Sequence, residues 1–251
     1  MSATLAAILR HPIKAHGREE VASATLAAGA CLPWDRAWAV AHEGSKFDPA
    51  APAWTPCGQF QRAARTQALQ AITATWDEGV GRMTLTHPDL GPVTFDPEAE
   101  GDTFIDWVRP ISPAEGPFRP RALVRAPDRG MTDSPFPSIS ILSLASNAAL
   151  SAHMGLDLSI HRWRGNLWLD GLEPWEEETW VGRTLRVGDA LIEVRERIGR
   201  CKATEADPAT GLPLGETRAA LRALRGSEQF GLYGVVVEGG PVRRGDRAQL
   251  H

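Results

Sequence analysis

Cys201 is the residue whose surroundings point most directly to chemistry. It stands between Arg200 and Lys202, where a predicted strand gives way to the loop from Ala203 to Gly211. Two flanking cations favour a thiolate, and a thiolate is what a soft metal centre needs. The same residues also fit an inert core cysteine. A second group lies upstream, in Arg162-Trp163-Arg164-Gly165-Asn166. Arginines two apart share one face if they sit on a strand, and guanidinium groups pair with phosphates and other planar anions. Asn166 reads equally as a ligand hydrogen-bonder and as a turn cap. Asp207-Pro208-Ala209-Thr210-Gly211 is a turn by its residue chemistry.

Other site types are missing from the sequence. It contains no GxxxxGK phosphate loop, no HExxH, no GxSxG elbow and no iron–sulfur cysteine run. His11, His16, His42, His87, His153, His161 and His251 have no ligand spacing and read as surface or core residues. Cys31, Cys57 and Cys201 are too scattered for a disulfide framework, which argues for a reducing compartment. With 251 residues, 43% hydrophobic and 23% charged, the chain can fill one large domain or two small ones. A net charge of -4 gives no reason to expect nucleic acid as a partner. Leu5 to Leu9 is too short for a signal peptide, and no stretch approaches the roughly 20 apolar residues of a membrane span. These features predict a soluble, cytoplasmic protein.

The elements that must position Cys201 and the arginines are mostly short strands. Ala37 to Ala41 and Ala68 to Trp76 carry strand signals. Met83 to Thr86 and Pro92 to Phe95 flank a turn at His87 to Gly91 and read as a hairpin. Leu185 to Val187, Gly188-Asp189 and Ala190 to Arg195 read as another. The pattern recurs from Tyr233 to Glu238, through Gly239-Gly240 and Val242, to Gly245-Asp246 and a last strand. Helices are predicted over Leu144 to His153, capped by Ser143 and ended by Gly155, and over Thr217 to Arg225, capped by Thr217. Glu173 to Trp180 reads as a short acidic helix. The prolines crowded between Pro110 and Pro137 suit a linker or one long excursion. Together these elements predict a β-rich α+β fold.

Arg200-Cys201, Thr204, Asp207 to Gly211, Thr217, Leu221, Leu224, Phe230-Gly231, Tyr233 and Gly245-Asp246 resemble the end of the MOSC domain. That domain is named after the C-terminal part of molybdenum cofactor sulfurase. Arg162 to Leu167, Glu173 to Glu177, Trp180 and Gly182 are similar to the family's Arg-x-Arg-Pro-Asn stretch and acidic turn, with Gly165 in place of the proline. The resemblance covers about Ser138 to Leu250. His11-Pro12-Ile13-Lys14 and Asp35-Arg36-Ala37-Trp38 are similar to the family's N-terminal β-barrel domain. There His11 stands for a tyrosine and Ala15 for a serine.

The resemblance implies an N-terminal β-barrel module over residues 1–110 and a MOSC β-barrel with a few helices over 111–251. It implies the molybdenum cofactor (molybdopterin), with Cys201 as metal ligand and Lys14, Arg36, Arg162, Arg164 and Asn166 holding the cofactor. Similarity to the amidoxime-reducing component proteins implies an oxidoreductase acting on small N-hydroxylated compounds. Electrons would come from a separate donor protein, because the chain has too few cysteines for a ferredoxin domain. Two other implied roles are a non-catalytic carrier of the cofactor, or of sulfur as a Cys201 persulfide, and a cofactor-free scaffold. No Schiff-base lysine is marked, so nothing supports pyridoxal phosphate.

Overall fold

The computed structural model describes residues 2–251. The first half holds β1 (Ser2–Arg10), β2 (Glu19–Val21), β3 (Ser23–Leu26), β4 (Trp38–His42), β5 (Thr73–Asp77), β6 (Arg82–His87), β7 (Gly91–Phe95) and α1 (Gly101–Val108). The second half holds β8 (Pro120–Arg125), β9 (Ile139–Ser143), α2 (Leu144–Met154), β10 (Leu167–Asp170), β11 (Thr184–Val187) and β12 (Ala190–Gly199). It ends with α3 (Thr217–Arg225), β13 (Gln229–Glu238), β14 (Gly240–Arg243) and β15 (Arg247–Leu250). The fold is β-rich α+β. No helix among the described residues is long and apolar enough to cross a membrane.

Seven strands close a barrel in the order β10-β9-β13-β12-β11-β15-β1, with β1 pairing back onto β10. β9 and β10 run parallel. Closure leaves the ring no open edge, and it uses the N-terminal strand to join β15 to β10. The register of β1 slips between Leu5 and Ala7, and a slip exchanges the faces of a strand. Ala3, Leu5 and Ile8 therefore fill the barrel with Ile141, Leu169 and Ile192. Ala7 and Leu9 turn outward onto Leu142, Trp168 and Phe230, under the helical layer.

The rest of the first half packs beside the barrel. β4 pairs with β8, and β5, β6 and β7 form a meander. α1 lays Phe104, Ile105 and Val108 onto Trp38, Met83 and Phe95. The sequence reading did not anticipate α1. The proline-rich stretch contains β8, so part of it is a paired strand.

Local signals held where chemistry is local. The Ser143 hydroxyl accepts the Ser146 amide at 3.3 Å, and Gly155 ends α2 at φ 63°. Four expectations need correction. Gln67 to Ala71 is a 3-10 helix, and only Thr73 onward is strand. The acidic segment forms only the short 3-10 helix Glu176–Trp180. Thr217 lies inside α3, and its hydroxyl is spent on Thr204 at 2.7 Å. The last strands are not successive hairpins: β14 pairs with β3, and β15 with β1 and β11. In each case a distant partner outweighed the local preference.

Gly211 shows how closely the halves meet. Its φ is +73°, and an added Cβ would lie 2.6 Å from the Ala68 Cα. Backbone cannot withdraw as a side chain can, so Gly211→Ala should cost at least the roughly 1–2 kcal/mol of a left-handed alanine. Denaturant unfolding checks this, with a lowered midpoint expected.

Candidate functional site

Arg162 and Arg164 do not share a strand face. Arg162 belongs to the 3-10 helix Ile160–Trp163, and Arg164 caps it at φ 51°. They still meet at one cavity of about 290 Å³ between the two halves of the chain. Lys14, Ala15, Arg36, Cys57, Arg62 and Gln70 line it from the first half. Asp133, Arg162, Trp163, Arg164, Arg200, Cys201 and Tyr233 line it from the second. Ala15, Arg36 and Arg164 all hold positive φ, which is strained for residues with a Cβ and concentrates at functional sites.

Five of the six lining cations are pinned by backbone from another part of the fold. Lys14 Nζ donates to the Met131 carbonyl at 2.6 Å and to Asp133 Oδ1 at 2.5 Å. Arg36 pairs with Asp35 and donates to the Arg164 carbonyl at 2.9 Å. Arg164 Nη2 donates to the Gly17 carbonyl at 3.1 Å. Arg162 Nη1 donates to the carbonyls of Thr204 and Leu214. Arg200 donates to the carbonyls of Phe230 and Trp163, and so grips the Trp163–Phe230 stack (4.1 Å).

These bonds do not use every donor. Arg162 Nε and Nη2, Arg164 Nη1 and Arg200 Nη2 are buried with no hydrogen-bond partner. Burial, with Arg36 adding to it, pulls the Arg164 pKa down to about 9. Burial likewise pulls Arg200 down to about 10. Arg36 is raised, because Asp35 and Asp133 outweigh its burial. Burial pushes the Tyr233 phenol up to about 12. An anion seated among the arginines would satisfy the spare donors and remove the penalty on their charge.

Cys201 is exposed and precedes the 3-10 helix Lys202–Glu205. The Thr204 amide and hydroxyl both donate to its carbonyl, and Gln70 ties the loop to the first half through the Ala203 carbonyl at 2.9 Å. Asn166 stands apart. Its Oδ1 accepts from Ser140 and its Nδ2 donates to Leu9, so its amide joins β9 to β1 and is not among the cavity-lining groups. Asp133, Tyr233, Cys57 and Arg62 were not expected at the site. Tyr233 falls within the MOSC-like motif, whereas Asp133 lies in the proline-rich stretch that suits a linker or one long excursion. No sequence signal marked Cys57 or Arg62. Among the described residues no group of three or more His, Cys, Asp or Glu side chains could hold a metal.

Residues 128–249 match the MOSC domain, and residues 2–105 match the MOSC N-terminal beta barrel domain. The chain belongs to the MOSC domain family, whose domains are linked to binding or sulfuration of the molybdenum cofactor. Molybdenum cofactor sulfurase 2 of Culex quinquefasciatus is 33% identical over 85 residues, which span 34% of this chain and only 11% of that protein. The crystal structure of the YUAD protein from Bacillus subtilis aligns over 100% of this chain and 96% of its own, with TM-score 0.50 and 12% identity. That likeness concerns the fold alone. YiiM from Geobacillus stearothermophilus aligns over 45% of this chain and 53% of its own, with TM-score 0.35 and 20% identity.

Two imidazoles support the first-half wall. His11 gives its Nδ1 side to Asp35 at 3.1 Å, and burial and Arg164 push its pKa down to about 3. Burial pushes His16 down to about 4. Both folded values lie below the ordinary 6.5. Their contribution to stability is therefore complete above that value and is lost as the pH falls through it toward 4 and 3. Proton NMR should show neither ring titrating above pH of about 5, while the unfolding midpoint falls with acidification over that window.

Proposed function

We propose that this chain binds the molybdenum cofactor in the cavity between its halves, with Cys201 as metal ligand, and reduces small N-hydroxylated compounds. The observation that carries the reading is the set of buried, unpartnered donors on Arg162, Arg164 and Arg200, three arginines that line the same cavity as an exposed thiol. Those donors, with Lys14 and Arg36, fit the anionic part of such a cofactor, and a thiolate fits its metal.

When bound, the metal supplies oxygen-atom transfer chemistry. The chain's own residues supply position and electrostatics. Arg36 and Arg164 are held from both halves, so the anion sits where the halves join. Trp163, itself held through Asn147 at 2.7 Å, forms an apolar part of the wall. The loop bonded through Thr204 and Gln70 presents the Cys201 sulfur. Removing the oxygen of an N-hydroxyl group as water consumes two electrons and two protons. A separate donor protein supplies the electrons in this reading, and the protein works in the cytoplasm.

Protein made in a cofactor-competent host should hold near-stoichiometric molybdenum and pterin, and Cys201→Ser should lose most of the metal. Absence of both from the wild type would overturn the reading. Arg162→Gln removes a charge-assisted contact worth about 1.5–3 kcal/mol, so pterin retention should weaken roughly tenfold or more. The exposure of Cys201 and the match to a sulfurase favour a second reading, a carrier of sulfur as a Cys201 persulfide. Turnover of an N-hydroxylated compound with a chemical electron donor separates the two: the reductase turns over and the carrier does not.

A further inference from the structure

Six cations line the cavity, Lys14, Arg36, Arg62, Arg162, Arg164 and Arg200, against the single carboxylate of Asp133. Five of them are tied to carbonyls or carboxylates by the bonds already described. Arg62 is the exception: its side chain makes no hydrogen bond or ion pair among the described residues. Its neighbour Arg65 is engaged, with its guanidinium 3.6 Å over the Phe118 ring. Arg62 is half-buried, on the same first-half segment as Cys57, and it lines the cavity together with exposed Cys201. Arg162, by contrast, is 1% exposed and has spare donors of its own. The cavity therefore offers pinned, buried cations and one untied cation on the wall contributed by residues 57–64.

We propose that Arg62 is a substrate-recognising residue and that the small molecule brought to Cys201 is an anion bearing a carboxylate. A guanidinium accepts a carboxylate through two parallel hydrogen bonds, and an untied side chain can swing to meet one without first breaking a protein contact. The pinned arginines remain for the cofactor, so the inference rests on the reading above for which end of the cavity reacts.

The thiol itself reports on the charge in its cavity. Iodoacetate and iodoacetamide have nearly the same size and differ in charge. In both, the Cys201 sulfur displaces iodide, an S–C bond forms as the C–I bond breaks, and the thiol proton passes to solvent. Full-length protein from a host lacking the cofactor is alkylated with each reagent, and peptides carrying Cys31, Cys57 and Cys201 are followed by mass spectrometry. Cys31 lies outside the cavity and serves as reference. The iodoacetate-to-iodoacetamide rate ratio should be higher at Cys201 than at Cys31. It should fall about fivefold in Arg62→Gln, the factor for one charge pair near contact in water. Arg62→Lys should restore most of it, which guards against a folding artefact.

An unchanged ratio in Arg62→Gln, or a ratio at Cys201 no higher than at Cys31, would overturn the assignment. Failure of the exposed thiol to react with either reagent would do the same. A failed cofactor reading would appear in the metal and pterin analysis and would leave this ratio unaltered.

Discussion

The buried contact between Arg36 and Arg164 holds the site together. Arg36 lies in the turn between β3 and β4 and pairs with Asp35, while its other terminal nitrogen reaches the Arg164 carbonyl. Arg164 returns the contact by donating to Gly17 and Ile13 on the first half. Two like charges are thus buried close together, which is costly unless carbonyls and carboxylates surround them. Asp35 does part of that work, held well below the usual carboxylate range as Arg36 and His11 outweigh its burial.

This arrangement explains why so much of the fold converges on one place. The first strand completes the barrel between β10 and β15, so the chain leaving it is fixed against the second half. Lys14 and Ala15 are delivered to the cavity by that exit, and the Arg36 amide bonds back to it through the His11 carbonyl. The second half answers with the arginines of the 160–164 turn and with the Cys201 loop, which Gln70 bonds from the other side. Backbone strain at Arg36 and Arg164 is sustained because hydrogen bonds across the junction over-determine their positions.

The spare donors give this geometry its chemical meaning. Natural proteins leave few buried polar groups unsatisfied, and here several of them belong to arginines that line one cavity. Burial has already moved Arg164 and Arg200 toward losing charge. An anion would stabilise the cations and the junction together, and its binding would then be coupled to the docking of the two halves. Membership of the MOSC domain family agrees with a cavity of that character.

The sequence by itself determined the class of fold, the α2 caps, the β6–β7 and β11–β12 hairpins and the family, because these depend on neighbouring residues or ordered motifs. It also marked Cys201, Lys14, Arg36, Arg162 and Arg164 as belonging to one site, through resemblance to the MOSC family. Tertiary structure decided what depends on residues far apart in the chain. It placed β1 in the barrel, paired β14 with β3 and made Thr217 a partner of Thr204. It gave Asn166 to the β9–β1 seam, where both its amide oxygen and its amide nitrogen are engaged, and it brought Asp133, Tyr233, Cys57 and Arg62 to the cavity. Local propensity sums over a few residues, whereas a cavity wall is assembled from segments more than a hundred residues apart, such as Lys14 and Asp133. No pattern along the chain records which of them will meet.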